Sequence, residues 1–379
     1  MKKFKQSFFS LAWMTIFSVA LGAAWTTKRL TNNSGYSGYP DIAVNGANVY
    51  VTWSNDMVDN AEIFFRRSTD SGANWQAAKR LTNNSGFSGY PAVAVNGSTI
   101  FIVWEDHTPG NNEIYFRSST DGGATWQAAK RLTNNAGNSH APRVAVSGAN
   151  LCVVWWDNTP GNSEIYFRKS LDGGATWQTA VRLTNNSGGS WDPDIVGYGS
   201  NFYVVWDDVS STNNEVYFRR SIDGGATWQS QKQLTNNAGD SEYASIAVGG
   251  LLGANLYVVW DDDSSGNDEI YFMKSTDKGV TWGTAKNLTN NAGESQFPNI
   301  AVSGSNVYVT WYDSTSGNDE IYVRKSADGG DTWQAAQRLT YNTGASYDPI
   351  IALSTSNRYV TYFDNTPGNY EIYVKYAPL

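Results

Sequence analysis

Cysteine is almost missing: Cys152 is the only one in 379 residues, so neither an intrachain disulfide nor a thiolate zinc site can form. Histidine occurs only at His107 and His140, which excludes a His-rich metal centre. Charge is sparse at 16% beside 14% aromatic residues, a balance that excludes a disordered chain and a coiled coil. It also leans acidic, 27 Lys plus Arg against 35 Asp plus Glu, a net charge of −8. Such a chain is repelled by phosphate, so nucleic acid and anionic membranes are poor partners. Long apolar runs are lacking except Phe8–Leu21, which follows Lys2, Lys3 and Lys5 and precedes Gly22, Ala23 and Ala24. That pattern reads as an export leader over residues 1–24, too short for a membrane span and followed by no lipid-accepting Cys. The expectation is a secreted, extracellular or periplasmic protein whose residues 25–379 form one domain and insert in no membrane after cleavage.

Repetition is what the chain has in abundance. Trp25, Trp75, Trp126, Trp177, Trp228, Trp282 and Trp333 open successive units, spaced 50, 51, 51, 51, 54 and 51 residues apart. Each unit repeats four short phrases, for example those at Trp126–Thr133, Arg143–Val146, Asn150–Trp155 and Glu164–Arg168. All are rich in β-branched and aromatic residues and bounded by Gly, Asn, Asp or Pro, with no helical period. Four strands in about 50 residues, seven times over, predict an all-β fold: a seven-bladed β-propeller of four-stranded antiparallel blades. The chain begins on a fourth phrase and ends on a third, Glu371–Lys375. The N-terminal strand around Trp25–Leu30 should therefore complete the last blade. Lys28, Arg29, Lys79, Arg80, Lys130 and Arg131 fall in the outermost strands, where exposed charge would discourage edge-to-edge pairing.

Between the third and fourth strands stands Ser-x-Asp-x-Gly-x-Thr-Trp, as in Ser119–Trp126, and again at Ser170, Ser221, Ser275 and Ser326; Ser68–Trp75 has Asn74 for Thr. Asp accepts turn N–H groups, Gly takes positive φ and Trp buries its ring. The motif resembles the Asp-box, or BNR, repeat of sialidases and many secreted propellers, and the resemblance covers the whole mature chain. It implies that Asp70, Asp121, Asp172, Asp223, Asp277 and Asp328 are structural and lie on the face opposite the ligand.

The other face should carry two repeated loops, Thr-Asn-Asn-(Ser/Ala)-Gly-x-Ser and Asp-x-x-x-Gly-Asn-x-Glu. The second supplies Asp106, Asp157, Asp208, Asp262, Asp313 and Asp364 with Glu62, Glu113, Glu164, Glu215, Glu269, Glu320 and Glu371. These carboxylates are expected to pin the loops by accepting backbone N–H groups; Ca²⁺ bound at each blade is the alternative. Differences between units cluster just before the innermost strand. One position reads Gly38, Gly89, His140, Trp191, Glu242, Gln296, Tyr347, and the next Tyr39, Tyr90, Ala141, Asp192, Tyr243, Phe297, Asp348. A third reads Asp41, Ala92, Arg143, Asp194, Ser245, Asn299, Ile350, and a second-strand position Ser54, Glu105, Trp156, Asp207, Asp261, Tyr312, Phe363. All should ring the axial funnel. Trp156 and Trp191 stand outside the repeated tryptophans, beside His140, Arg143, Asp192, Asp194 and Asp207, and so centre a candidate sugar site. Glu242, Tyr243, Gln296, Phe297, Tyr347 and Asp348 complete its expected lining.

The resemblance invites a sialidase assignment, which implies three arginines for the substrate carboxylate, the first in an Arg-Ile-Pro motif. Here that stretch is Tyr39-Pro40-Asp41-Ile42, and among the arginines only Arg143 falls near the funnel. Sialidases usually have six blades, against the seven units here. The expectation is therefore a non-catalytic, lectin-like propeller binding glycan or a cell-surface polymer. The alternatives are a glycoside hydrolase using two of Asp192, Asp194, Asp207, Glu242 and Asp261, and a structural or protein-docking scaffold.

Overall fold

The structure is a computed structural model that describes residues 24–58, 60–209 and 212–379. The leader expected over residues 1–24 lies, apart from Ala24, outside the described residues. The described chain forms seven four-stranded antiparallel sheets, each from four consecutive strands except the last. In the first blade the inner strand is Ser37–Asn45, followed by Asn48–Val58, Asn60–Ser68 and the short outer strand Lys79–Arg80. The last blade takes Ser346–Leu353, Asn357–Asp364 and Glu371–Pro378 from the C-terminus and Thr26–Arg29 from the N-terminus.

Burial on both faces explains why the second strands are almost continuously apolar. Asn150–Asp157, sandwiched between neighbouring blades, is buried at six of its eight positions, and its Cys152 has no exposed surface. Each apolar cluster is shared between two blades. Ala43, Tyr50, Ile63 and Phe65 of the first pack with Val93, Ile100, Ile102 and Trp104 of the second. The seam between last and first blade is filled in the same way, with Ile42, Val49, Val51 and Trp53 against Tyr359, Phe363, Ile372 and Val374. A sheet flanked on both sides by its neighbours needs no separate cap, which is how a ring of small sheets becomes one core.

Closure follows the expected register: Thr26 lies opposite Tyr376 and Arg29 opposite Tyr373. Leu30 N–H donates to Ile372 O at 2.7 Å, and Arg29 pairs with Glu371 at 3.0 Å. The outer-strand charges make specific contacts as well as standing on an exposed edge. Arg80 pairs with Glu62 at 2.7 Å and Arg131 with Glu113 at 2.6 Å, each glutamate being fully buried. Lys79 reaches the next blade's turn, donating to Gly123 O at 2.9 Å, and Lys130 donates to Gly174 O at 2.8 Å. The charges clamp strand to strand and blade to blade.

Strand direction places the Ser-x-Asp-x-Gly-x-Thr-Trp turns at the end shared with the turns between inner and second strands. Gly122 N–H donates to Ser98 O at 2.9 Å across that end. In the turn at Ser119, Asp121 accepts from Ser119 Oγ at 2.8 Å, Thr125 N–H at 2.8 Å and Thr125 Oγ1 at 2.6 Å. Gly123 has φ +86°, and a Cβ there would stand 2.6 Å from Phe65, so only glycine fits. Trp126 then meets Phe65 of the preceding blade edge to face at 5.0 Å.

Candidate functional site

The opposite end of the toroid is built by one irregularity repeated in every blade. Each inner strand opens with a β-bulge, as between Gly38 and Asp41 or Trp191 and Asp194. The first bulge residue is Tyr39, Tyr90, Ala141, Asp192, Tyr243, Phe297 or Asp348, and all seven hold positive φ, between 45° and 53°. Proline follows six of them, Tyr243-Ala244 being the exception. A residue before proline ordinarily prefers extended backbone, so seven left-handed non-glycine residues represent strain retained around the axis. The bulge takes these residues out of the sheet ladder, and Tyr39 meets Tyr90 and Tyr243 meets Phe297 across blade boundaries.

Carboxylates from the neighbouring blade hold several of the bulges. Asp207 Oδ2 accepts from Tyr243 N–H at 2.8 Å, Asp261 Oδ2 from Phe297 N–H at 3.0 Å and Glu105 Oε2 from Ala141 N–H at 3.2 Å. Glu105 also meets His140 Nδ1 at 3.1 Å. Two residues further along the strand a second tier links the inner strands of neighbouring blades. Asp41 accepts from Ile42 N–H at 2.8 Å and Val93 N–H at 2.7 Å. Asp194 accepts from Ile195 N–H at 2.8 Å, Ile246 N–H at 2.9 Å and Ser245 Oγ at 3.1 Å. Asn299 accepts from Ile351 N–H at 2.9 Å.

Arg143 occupies the same tier. Its positive charge is felt by Asp41, Asp192, Asp194 and Asp348, which come from the first, fourth and seventh blades, so its guanidinium lies near the axis. Among the described residues it makes no ion pair, and its one hydrogen bond is to Pro142 O at 3.2 Å. Burial raises all four of these acids despite the arginine: Asp41 to about 6 and Asp348 to about 7. Asp207 stands well above the usual carboxylate range through burial and the neighbouring Asp192, and Asp261 through burial. Glu242 is raised by burial and by Asp240, and its carboxylate accepts from Asn214 Nδ2.

The bulge tier has an alternating character. Tyr39 and Tyr90 lie 4.2 Å apart, and Tyr243 stacks on Phe297 at 4.0 Å. Asp192 and Asp348 fall between these aromatic pairs around the ring, Asp192 beside the small Ala141. All of these funnel side chains except the more exposed Tyr90 are half-buried. Asp192 and Asp348 accept no hydrogen bond from any described residue, unlike Asp41, Asp194, Asp207 and Asp261. Above them, Tyr312 stacks on Phe297 at 5.6 Å and donates to Gln296 Oε1 at 2.8 Å, while Tyr347 meets Phe363 at 5.7 Å.

The ligand-binding residues nominated from the sequence thus belong to this end of the toroid, but Trp156 and Trp191, expected to centre one site, take different neighbours. Trp156 lies opposite His140 in register, with their rings 4.3 Å apart, and packs on the core between blades three and four. Trp191 folds over its own chain, where a Cβ on Gly189 would stand 2.1 Å from it. The two indoles make no ring contact. The aromatic platforms are Tyr39–Tyr90 and Tyr243–Phe297, and the first pair was not nominated. Its signal lay in the variable positions and was outweighed by the tryptophan count.

The repeated Asp–Glu loops are filled from within. Asp157 Oδ2 accepts from Ser139 Oγ at 2.7 Å and Asn135 Nδ2 at 2.6 Å, and its Oδ1 from Thr159 N–H at 2.9 Å. Among the described residues no three His, Cys, Asp or Glu side chains converge as metal ligands. Away from the axis, a cleft of ≈ 330 Å³ lies between outer strands beside Asn291, Trp311 and Arg324.

The fold is that of a seven-bladed β-propeller, and the chain is similar to proteins whose names place them in carbohydrate chemistry. No family model matches the chain. A sialidase of Bacteroides fragilis is 22% identical over 347 residues, covering 84% of this chain and 55% of its own length. Xyloglucanase Xgh74A of Acetivibrio thermocellus is 25% identical over 252 residues, 57% of this chain and 28% of its own. The chain thus spans about half the length of the first relative and under a third of the second. Among solved structures, the polysaccharide lyase Uly1 superposes with a TM-score of 0.60 at 10% identity, covering 89% of each chain. No described helix is long and apolar enough to cross a membrane.

Proposed function

We propose that this chain is an exported, non-catalytic propeller that binds carbohydrate in the axial funnel, on the face opposite its Asp-box turns. The observation that carries the reading is the bulge tier: aromatic pairs and hydrogen-bond-free carboxylates brought together by seven strained residues. Aromatic faces stack on the apolar faces of sugar rings, and fixed acceptors take their hydroxyl hydrogens. The Asp boxes are mechanical, since their carboxylates are saturated inside their own turns. Among the described residues Arg143 is the only arginine in the funnel tiers, too few to build the three-arginine carboxylate clamp of sialidases. Relatives named as a sialidase, a xyloglucanase and a polysaccharide lyase support carbohydrate as the ligand class. Binding of the purified protein to a glycan array tests the reading. At least one glycan should bind, and Tyr90→Ala with Tyr243→Ala should weaken it at least tenfold; an array with no signal rejects it.

One observation favours a hydrolase. Asp207 holds its proton far above the usual range beside Asp192, as an acid/base pair would. Against it, Asp207 already holds the Tyr243 bulge. Turnover in a fluorogenic glycoside panel, abolished by Asp207→Asn in a folded variant, would establish the hydrolase instead.

A further inference from the structure

Resting on the carbohydrate reading, we propose that the funnel selects a glycan bearing a protonated amine, a glucosamine-type polymer, and rejects acidic sugars. The argument begins with which carboxylates still need a partner. Asp41 and Asp194 of the second tier accept two and three hydrogen bonds from the protein. Asp207, Asp261 and Glu105 are engaged by bulge N–H groups, and Glu242 by Asn214. Asp192 and Asp348 have no donor among the described residues, yet both stand in the half-buried bulge tier that a ligand entering the funnel meets. Only a ligand or water can supply those donors.

Charge then decides the kind of donor. The single guanidinium of Arg143 faces Asp41, Asp192, Asp194 and Asp348, so this part of the funnel stays negative when its acids are ionised. Glu105 acts against the ionised form of Asp192, and Asp192, Asp261 and Glu242 against that of Asp207, so this side of the ring disfavours further negative charge and would be relieved by a cation. The aromatic pairs flanking Asp192 and Asp348 add the second half of an ammonium site, because ring faces attract cations. A pyranose stacked on Tyr39–Tyr90 or Tyr243–Phe297 would carry its amine to one of the two free carboxylates. A sialic acid or uronic acid would bring a carboxylate into the same field and be repelled.

Calorimetric titration of the purified protein at pH 6 tests this with four probes: a glucosamine tetramer, its fully N-acetylated counterpart, a tetragalacturonate and tetralysine. The glucosamine tetramer should bind at least tenfold more tightly than the acetylated form, with no heat from the galacturonate. The double variant Asp192→Asn, Asp348→Asn should bring that ratio close to one, the glucosamine tetramer losing at least tenfold more affinity than the acetylated one. An unfolding midpoint at pH 6 no lower than that of the unsubstituted protein shows that the fold is retained. Tighter binding of the acetylated form or of the galacturonate overturns the amine inference and leaves the carbohydrate reading standing. Tetralysine binding as tightly as the glucosamine tetramer overturns it too, because the acidic chain would then be attracting any polycation. No binding by any sugar, here or on the array, overturns both readings.

Discussion

The two ends of the toroid are built from the same repeats yet treat their carboxylates in opposite ways. At the Asp-box end each aspartate but the half-buried Asp277 is exposed, and all accept from donors of their own turn. Hydrogen bonds from Asn74, Thr176 and Thr281 hold Asp70, Asp172 and Asp277 down to about 2. At the funnel end burial wins over every donor and over Arg143, so Asp41 rises to about 6 and Asp348 to about 7. An exposed carboxylate inside a closed turn stabilises the fold as an anion. One crowded and buried around an axis destabilises it as an anion.

The largest effect should come from the clamps joining the outer strands. Glu113→Ala leaves Arg131 and the Asn135 N–H without their acceptor. A loss of about 3 kcal/mol is expected in denaturant unfolding, with sugar affinity unchanged; an affinity loss as large would mean that the outer clamps and the funnel are not separate. Next, the double variant Asp192→Asn, Asp348→Asn should stabilise the protein at pH 8 by roughly 1–2 kcal/mol, after allowing for water in the funnel. A fall in stability would show that these carboxylates serve the fold.

The pH profile separates the two ends directly. The Asp-box groups have depressed pKa values, so their contribution is complete above the unfolded value near 4 and is lost as pH falls through about 2. The funnel acids have raised values, so the folded state binds more protons than the unfolded one between about 4 and 7, and stability falls as pH rises across that window. Thermal unfolding should therefore occur at higher temperature at pH 5 than at pH 8, and Asp348→Asn should flatten the slope. A midpoint that climbs from pH 5 to pH 8 would break the comparison. The smallest effect is expected for Thr125→Val, which removes one donor from a turn that keeps its backbone bond and Ser119. A midpoint shift of at most about 2 °C is expected, with no change in binding.

Much of this was legible in the chain itself, because the repeat is periodic in sequence as well as in space. Seven near-identical units of four apolar phrases admit few arrangements other than a ring of equivalent sheets. The unfinished phrase at each terminus, Trp25–Leu30 and Glu371–Lys375, specified how that ring closes. The funnel could be located too, since the units differ most where their inner strands begin. Its contents could not be. Tyr39 meets Tyr90, and Asp207 holds Tyr243, across blade boundaries that no local pattern marks. Trp156 and Trp191, close in strand order, turned to different neighbours because one belongs to a second strand and the other to the start of an inner strand.

The sequence by itself determined the blade, its turns, the blade number and the end at which variation gathers, because each rests on local hydrogen bonds and alternation within some fifty residues. Only the tertiary structure decided which acids share Arg143, which aromatics pair, and that the residue before each inner-strand proline is held in a left-handed conformation. Those features arise where seven blades converge on one axis, and convergence is a property of the closed ring, present in no single repeat.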